Sequence, residues 1–425
     1  MTHNDRVTQR LSAVDAQLLW LSRMVPNDQF LLYAFGGSPA NPHEAVGELR
    51  RRAQACPELR LVIADEDRWR YPCWVDAAIT AEQFSVAPPG DWQACRAAVA
   101  RLGLGRLSTE RMTWRAHLFP DVRDLPGVTG AGSVVVIQIS HALGDGARSA
   151  ALAAALLGRA GGIPPVAPAR RGSLLARGVV AARAHRRMVR DIEAGVLAAP
   201  NPPRPALSVN ARPGSARTVA TIVVPRARMS GPTVTVAALT GVAEALGGYL
   251  RERGEDVAHL AAEVPVAARP PDPHARNNFS NVGVGLHPQE GRAERAARIA
   301  AELDAHRARI GHPAVRASAA AFAAVPAPLL RWGVGRFDPA ARCATVTGHT
   351  VVSSVNRGPA DLVFGGHPVV FTAGFPALSP MMSLTHGVHG IGSAVAVSVH
   401  ADPERVDVEA YLDRLAHALG APGPR

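Results

Sequence analysis

The residues best placed to do chemistry are Ser140-His141-Ala142-Leu143-Gly144-Asp145-Gly146. An apolar run, Val134-Val135-Val136-Ile137, leads into them, and a small-residue helical pattern, 147–157, leads out. The run reads as a buried strand. The histidine therefore stands where a strand ends, a rigid place from which to aim an imidazole into a cleft. Imidazole is the side chain whose ordinary pKa suits proton transfer near neutral pH. His141 is thus the candidate general base, within an H-x-x-x-D-G spacing completed by Asp145 and Gly146. Taken alone, the spacing also fits a surface turn capped by Asp145. Ser140 makes a poor nucleophile, because neighbours on a strand point to opposite faces and no base is turned toward it. Its hydroxyl can still donate and accept one local hydrogen bond.

Other clusters carry less. His386 and His389 form an H-x-x-H pair with no third ligand at a helpful spacing, so they read as loop histidines and no metal site is expected. Gly365-Gly366 and Gly283-x-Gly285 lack the strand, spacing and helix of a phosphate loop. The four cysteines, Cys56, Cys73, Cys95 and Cys343, contain no C-x-x-C pair and suggest neither a disulfide framework nor a thiolate metal site.

The motif resembles the H-H-x-x-x-D-G signature of the acyl-CoA-dependent acyltransferase superfamily, with Ser140 in place of the first histidine. That superfamily includes chloramphenicol acetyltransferases, condensation domains of peptide synthetases and bacterial wax ester synthase/diacylglycerol acyltransferases. Similarity to the last family runs in order along the chain. Leu11-Ser12-Ala13-Val14-Asp15-Ala16 is similar to its opening L-S-x-x-D-A segment, and Met112-Thr113-Trp114-Arg115 stands where P-L-W is usual. The segment from Thr233-Val234 to Leu250-Arg251-Glu252-Arg253-Gly254 resembles a helix ending in Y-L-x-x-R-G. Val264-Pro265-Val266 with Arg269-Pro270-Pro271-Asp272, then Asn277-Asn278 and 282–288, resemble V-P-V-S-x-R and G-N-x-x-x-x-x-x-x-L-P. Ser354-Val355-Asn356-Arg357-Gly358-Pro359 takes the place of S-N-V-P-G-P.

The resemblance implies an α/β (α+β) fold of two chloramphenicol-acetyltransferase-like lobes with a substrate tunnel between them. It implies transfer of an acyl group from an acyl-CoA or carrier-protein thioester to a hydroxyl or amine, with acyl-CoA as co-substrate and no resident cofactor. His141 would be the base. Asp145 would be structural and paired with an arginine, and Gly146 would permit a tight backbone and close approach of the following helix. By motif position, Asn278 and Ser354 are candidate oxyanion donors, although both residue types also favour turns. The departures bear on the substrate. Ser140 replaces a histidine, Thr235-Val236 replaces an N-D pair, and P-L-W and S-N-V-P-G-P are altered. They describe a divergent member. The acceptor is either a lipophilic alcohol such as diacylglycerol or a natural-product hydroxyl or amine. A catalytically silent lobe pair that binds a partner is the third reading, and retention of His141, Asp145 and Gly146 argues against it.

Length and composition set the frame. The 425 residues, 47 % apolar, suffice for two or three domains with large cores. No run of about 18 apolar residues suggests a transmembrane helix. The start, Met1-Thr2-His3-Asn4-Asp5-Arg6, has no signal pattern, which leads to the expectation of a cytoplasmic protein. The formal charge of +11 comes from arginine alone, and 147–190 holds nine arginines and no acidic residue. Arg170, Arg171, Arg177, Arg183, Arg186, Arg187 and Arg190 accompany a rough apolar stripe of Leu174, Leu175, Val179, Ala182 and Val189. This is either a solvated connecting helix, one that lies on an anionic membrane face, or one that attracts coenzyme A phosphates. Only 5 % aromatic residues and no recognition module argue against nucleic acid.

Three segments follow. An N-terminal lobe at 1–160 holds helices at 6–23, 43–56 and 94–102 and strands at 59–64 and 114–119. A Pro- and Arg-rich linker spans 161–216. A C-terminal lobe at 217–425 holds strands at 218–224, 261–267, 282–286, 345–353, 368–373 and 393–400. Its helices are expected at 234–253, 293–310 and 406–419.

Overall fold

The computed structural model describes residues 7–169 and 172–421. The strand that leads to His141, Gly132–Ile139, is buried along its whole length. It is central in a seven-stranded sheet, between Gln29–Phe35 and Trp114–Arg123. Both faces of such a strand are covered, so it reads as a continuous apolar run and not as an alternation. Val135, Ile137 and Ile139 pack under the helices Ala13–Ser22, Pro42–Ala55 and Gly146–Leu156. Val134 and Val136 face the helix Trp92–Leu102 and, across the lobe boundary, Val219 and Ala396.

The second sheet has six strands, in the order Thr218–Pro225, Ala394–Ala401, Leu384–Ile391, Thr350–Asn356, Ala261–Ala267 and Phe279–Gly285. One face is covered by Val234–Arg251, Arg292–Gly311 and Val408–Ala418, whose apolar stripes meet Val264, Val352, Val388 and Val397. Two α/β lobes thus form, each a sheet backed by helices.

Several boundaries differ from the sequence expectation. The first helix covers only Ala13–Ser22, because the Ser12 hydroxyl accepts from Asp15 N–H and caps it, while Val7–Arg10 pairs as a strand with Cys73–Asp76. His386 and His389 lie on the strand Leu384–Ile391, not in a loop. The residues 217–425 do not all belong to the C-terminal lobe. His367–Gly374 crosses over to pair with Gln29–Phe35 and extends the N-terminal sheet. Ala327, Leu330 and Val334 of the helix Ala327–Gly335 also enter that lobe's core. The linker holds the basic helix Leu174–Glu193. Its Asp191 meets His312 (3.1 Å), and its Arg177 donates to the Ala320 carbonyl, so it runs antiparallel to Pro313–Phe322. No single described helix is long and apolar enough to cross a membrane.

Candidate active site

His141 follows the end of its strand and packs against the second half of the chain. Its ring lies 5.5 Å from that of Phe279, the first residue of the strand Phe279–Gly285. Its Nδ1 is 3.0 Å from Asn277 Oδ1. The Asn277 amide nitrogen donates to Asp15 Oδ1 and to the His141 carbonyl, each at 2.9 Å. With both amide hydrogens engaged by acceptors, the amide oxygen must face the ring, and Nδ1 must carry the proton. That assignment leaves Nε2 with its lone pair, the form a base requires.

Asp15 anchors this chain of contacts. It is buried, and it accepts from the Ser12 hydroxyl (2.7 Å), the Arg276 N–H (3.2 Å) and Asn277. Burial pushes its carboxyl pKa up, against the opposing pull of those hydrogen bonds. Burial also lowers the His141 pKa, opposed by its hydrogen bonds and by the Asp145 charge. The imidazole is therefore neutral at neutral pH. It is partly accessible, at the seam of the two lobes.

Asp145 caps the helix Gly146–Leu156. Oδ1 accepts from the N–H groups of Ala147 (3.1 Å) and Arg148 (3.0 Å), and Oδ2 accepts from Asn278 N–H (3.0 Å). The expected arginine partner is replaced by these backbone donors and by the positive end of the helix. The arginines belong to a neighbouring cluster, in which Arg148 (2.9 Å) and Arg276 both grip Glu58. Burial raises the Glu58 pKa, but the two guanidiniums outweigh it and hold the carboxyl below its ordinary value. At Gly146 a Cβ would come within 2.9 Å of Val355 Cγ2, so this glycine allows the C-terminal lobe to approach the motif. Ser140 is buried, and its backbone bonds to Thr113 O and Leu143 N–H close the turn.

The two expected oxyanion donors are not brought to the imidazole. The Asn278 Oδ1 accepts from Asp272 N–H (2.6 Å), and its Nδ2 donates to Ala275 O (3.0 Å), so the side chain holds its own loop together. Ser354 accepts from the Thr235 hydroxyl (2.9 Å) at the start of the helix Val234–Arg251. Its neighbour Val355 faces Gly146, and strand alternation turns Ser354 to the opposite, helix-covered face. Alternation likewise separates His386 from His389. His386 bonds Thr350 (2.8 Å) and Tyr411 (2.6 Å), whereas His389 lies beside Gly374 and Arg357.

Asp15, Asn277 and Phe279 complete the surroundings of His141, and residue type alone does not single them out. Asp15 stood in the opening L-S-x-x-D-A segment, and Asn277 is the immediate neighbour of the asparagine singled out. Nothing in residue type or spacing distinguishes the two asparagines; the loop conformation does. Two cavities, of about 310 Å³ and about 670 Å³, are lined by other residues, including His117 in the first and Arg96 and Arg217 in the second.

Residues 277–421 match the family model of the WS/DGAT C-terminal domain. That match covers about a third of the chain, within its C-terminal half. Over its whole length the chain is similar in fold to the wax ester synthase/diacylglycerol acyltransferase from Marinobacter aquaeolei VT8, with a TM-score of 0.61, 19 % identity, and coverage of 97 % of this chain and 98 % of that one. It is also similar to the starter condensation domain of rhizomide synthetase RzmA, a mutant in complex with C8-CoA and Leu-SNAC. There the TM-score is 0.57, with 17 % identity and coverage of 98 % and 96 %. A comparison with curated proteins finds no match.

Proposed function

We propose that the protein transfers an acyl group from acyl-CoA to a hydroxyl acceptor, with His141 as general base. The observation that carries this reading is the Asp15–Asn277–His141 contact chain, which holds the proton on Nδ1 and leaves Nε2 free. Nε2 takes the acceptor proton as the hydroxyl oxygen attacks the thioester carbonyl. The tetrahedral intermediate collapses, the C–S bond breaks, and the imidazolium returns its proton to the leaving thiolate. The products are an ester and free coenzyme A. Asn277 orients the ring, and the nearby Asp145 carboxylate favours its cationic form during the transfer. Thiol release from acyl-CoA in the presence of an alcohol tests the reading. Release that depends on His141 supports it, and equal release in His141→Ala refutes it.

Contact with an anionic lipid surface belongs to the same proposal. The basic helix turns Leu174, Ala181 and Met188 toward Pro313–Phe322 and carries a second stripe outward. Leu175, Val179 and Val189 are exposed there, flanked by Arg183, Arg186, Arg187 and Arg190. Arg177 is turned to the neighbouring helix, and Arg170 and Arg171 lie outside the described residues. An apolar stripe bordered by cations suits the headgroup boundary of an anionic bilayer. Co-sedimentation with phosphatidylglycerol vesicles, lost in Leu175→Ser/Val179→Ser, is the expected result.

A further inference from the structure

The strands Ala261–Ala267 and Phe279–Gly285 pair antiparallel, with Ala267 opposite Phe279, Pro265 opposite Asn281 and Glu263 opposite Gly283. Val264, Val266, Val282 and Val284 pack into the helix-covered core. Alternation then places Glu263, Pro265, Ala267, Phe279 and Asn281 on the other face. This face begins at the base, because Phe279 is the ring against His141. At roughly 3.3 Å per residue, Asn281 lies about 7 Å and the Glu263 row about 13 Å further along.

The near part of this face is uncharged, formed by Pro265 and the exposed Ala267. The far part is polar. The exposed Asn281, on the edge strand, donates from Nδ2 to Oε1 of the half-buried Glu263 at 2.6 Å. Among the described residues, no arginine or histidine forms an ion pair with Glu263, and burial raises its carboxyl pKa with only the Asn281 hydrogen bond opposing. A partly buried carboxylate held by one neutral donor is poorly compensated, and it favours a ligand that brings further N–H or O–H donors or a positive charge. A hydrocarbon chain laid across it would remove the carboxylate from water and return nothing.

We propose that Glu263 and Asn281 form the acceptor subsite, and that the acceptor is polar: an amino sugar or another amino alcohol whose ammonium or hydroxyl groups reach Glu263 while a hydroxyl is presented to His141. This inference rests on the acyl-transfer reading and decides between its two acceptor classes. Glu263 and Asn281 are specificity residues and take no part in the proton transfer.

The test compares glucosamine with 1-hexadecanol as acceptors for one acyl-CoA, and measures glucosamine binding calorimetrically without donor. Wild-type protein should acylate glucosamine in preference to hexadecanol. Glu263→Gln and Asn281→Ala should raise the glucosamine KM roughly tenfold or more while the acyl-CoA KM stays unchanged. Glu263→Gln should weaken glucosamine binding by a similar factor. Preference for hexadecanol, or an unchanged KM and affinity in Glu263→Gln, overturns the subsite. If neither acceptor gives His141-dependent product, the acyl-transfer reading falls, and the calorimetric comparison of wild type with Glu263→Gln still decides whether Glu263 binds the probe.

Discussion

The two sheets treat their inner faces differently. The central strand of the N-terminal sheet presents Val134 and Val136 to one side and Val135, Ile137 and Ile139 to the other, carries Ser133 and Gln138 as its buried polar residues, and leads to His141. The C-terminal sheet is apolar toward its helices and mixed on its other face, where Val219 and Ala396 meet the first lobe. Its other face carries Ser353, Thr385, His389 and Ser398 and, toward the sheet edge, Glu263 and the exposed Asn281, by the register of its strands. A polar residue on a sheet face that is sandwiched between layers costs stability unless it is hydrogen-bonded or meets a ligand. Two lobes of like architecture thus divide the work. In the proposed mechanism the first supplies the base and Asp15, and the second supplies Asn277, which orients the ring.

The sharpest way to break this division is to remove the base. His141→Ala should lower turnover by about 10²–10⁴-fold, measured as acyl-CoA-dependent thiol release. Equal activity would show that the N-terminal lobe does not house the chemistry. The orienting role of the second lobe is next. Asn277→Leu removes the acceptor at Nδ1 and should cost roughly 10²-fold in kcat with little change in the acyl-CoA KM. Asp15→Asn should fall in the same direction by less, and a KM effect alone would refute an orienting role for either.

Histidines buried in both sheets give a test of what burial costs. Burial lowers the pKa of His117 to about 4, of His400 to about 4 and of His386 to about 3. In the unfolded chain each titrates near the ordinary value of about 6.5. Between these values the unfolded state binds protons that the folded state refuses. Stability from these groups is therefore present above about pH 6.5 and is lost as pH falls toward about 4. The melting temperature should drop across that window, and His400→Asn should flatten the drop. Cap removal at the motif is the smallest effect. Asp145→Ala should lower stability by about 1 kcal/mol in denaturant unfolding, since Asp145 is an N-cap. A much larger loss would mean that the Asp145–Asn278 contact between the two halves matters more than the cap.

Much of the local structure was legible. The strand into His141, the helix after it and the strand Ala261–Ala267 follow from apolar runs and small-residue periodicity within a dozen residues. The strand Leu384–Ile391 was not legible, because Leu-Thr-His-Gly-Val-His-Gly-Ile has the glycine and histidine content of a loop. It is a strand because neighbours on both sides pair with it. Asn277 was read one residue off, since its value lies in contacts with Asp15 and His141, 262 and 136 residues away in sequence.

By itself, then, the sequence determined which residue could act as a base, that it ends a buried strand, and which family the chain resembles. Those are matters of side-chain chemistry and short-range pattern. Tertiary structure alone decided which nitrogen of the imidazole is free, which asparagine meets it, and that 367–374 belongs to the first lobe's sheet. Each of these depends on which distant segments are brought within hydrogen-bonding distance, and that distance is set by how the two cores pack, not by any local run of residues.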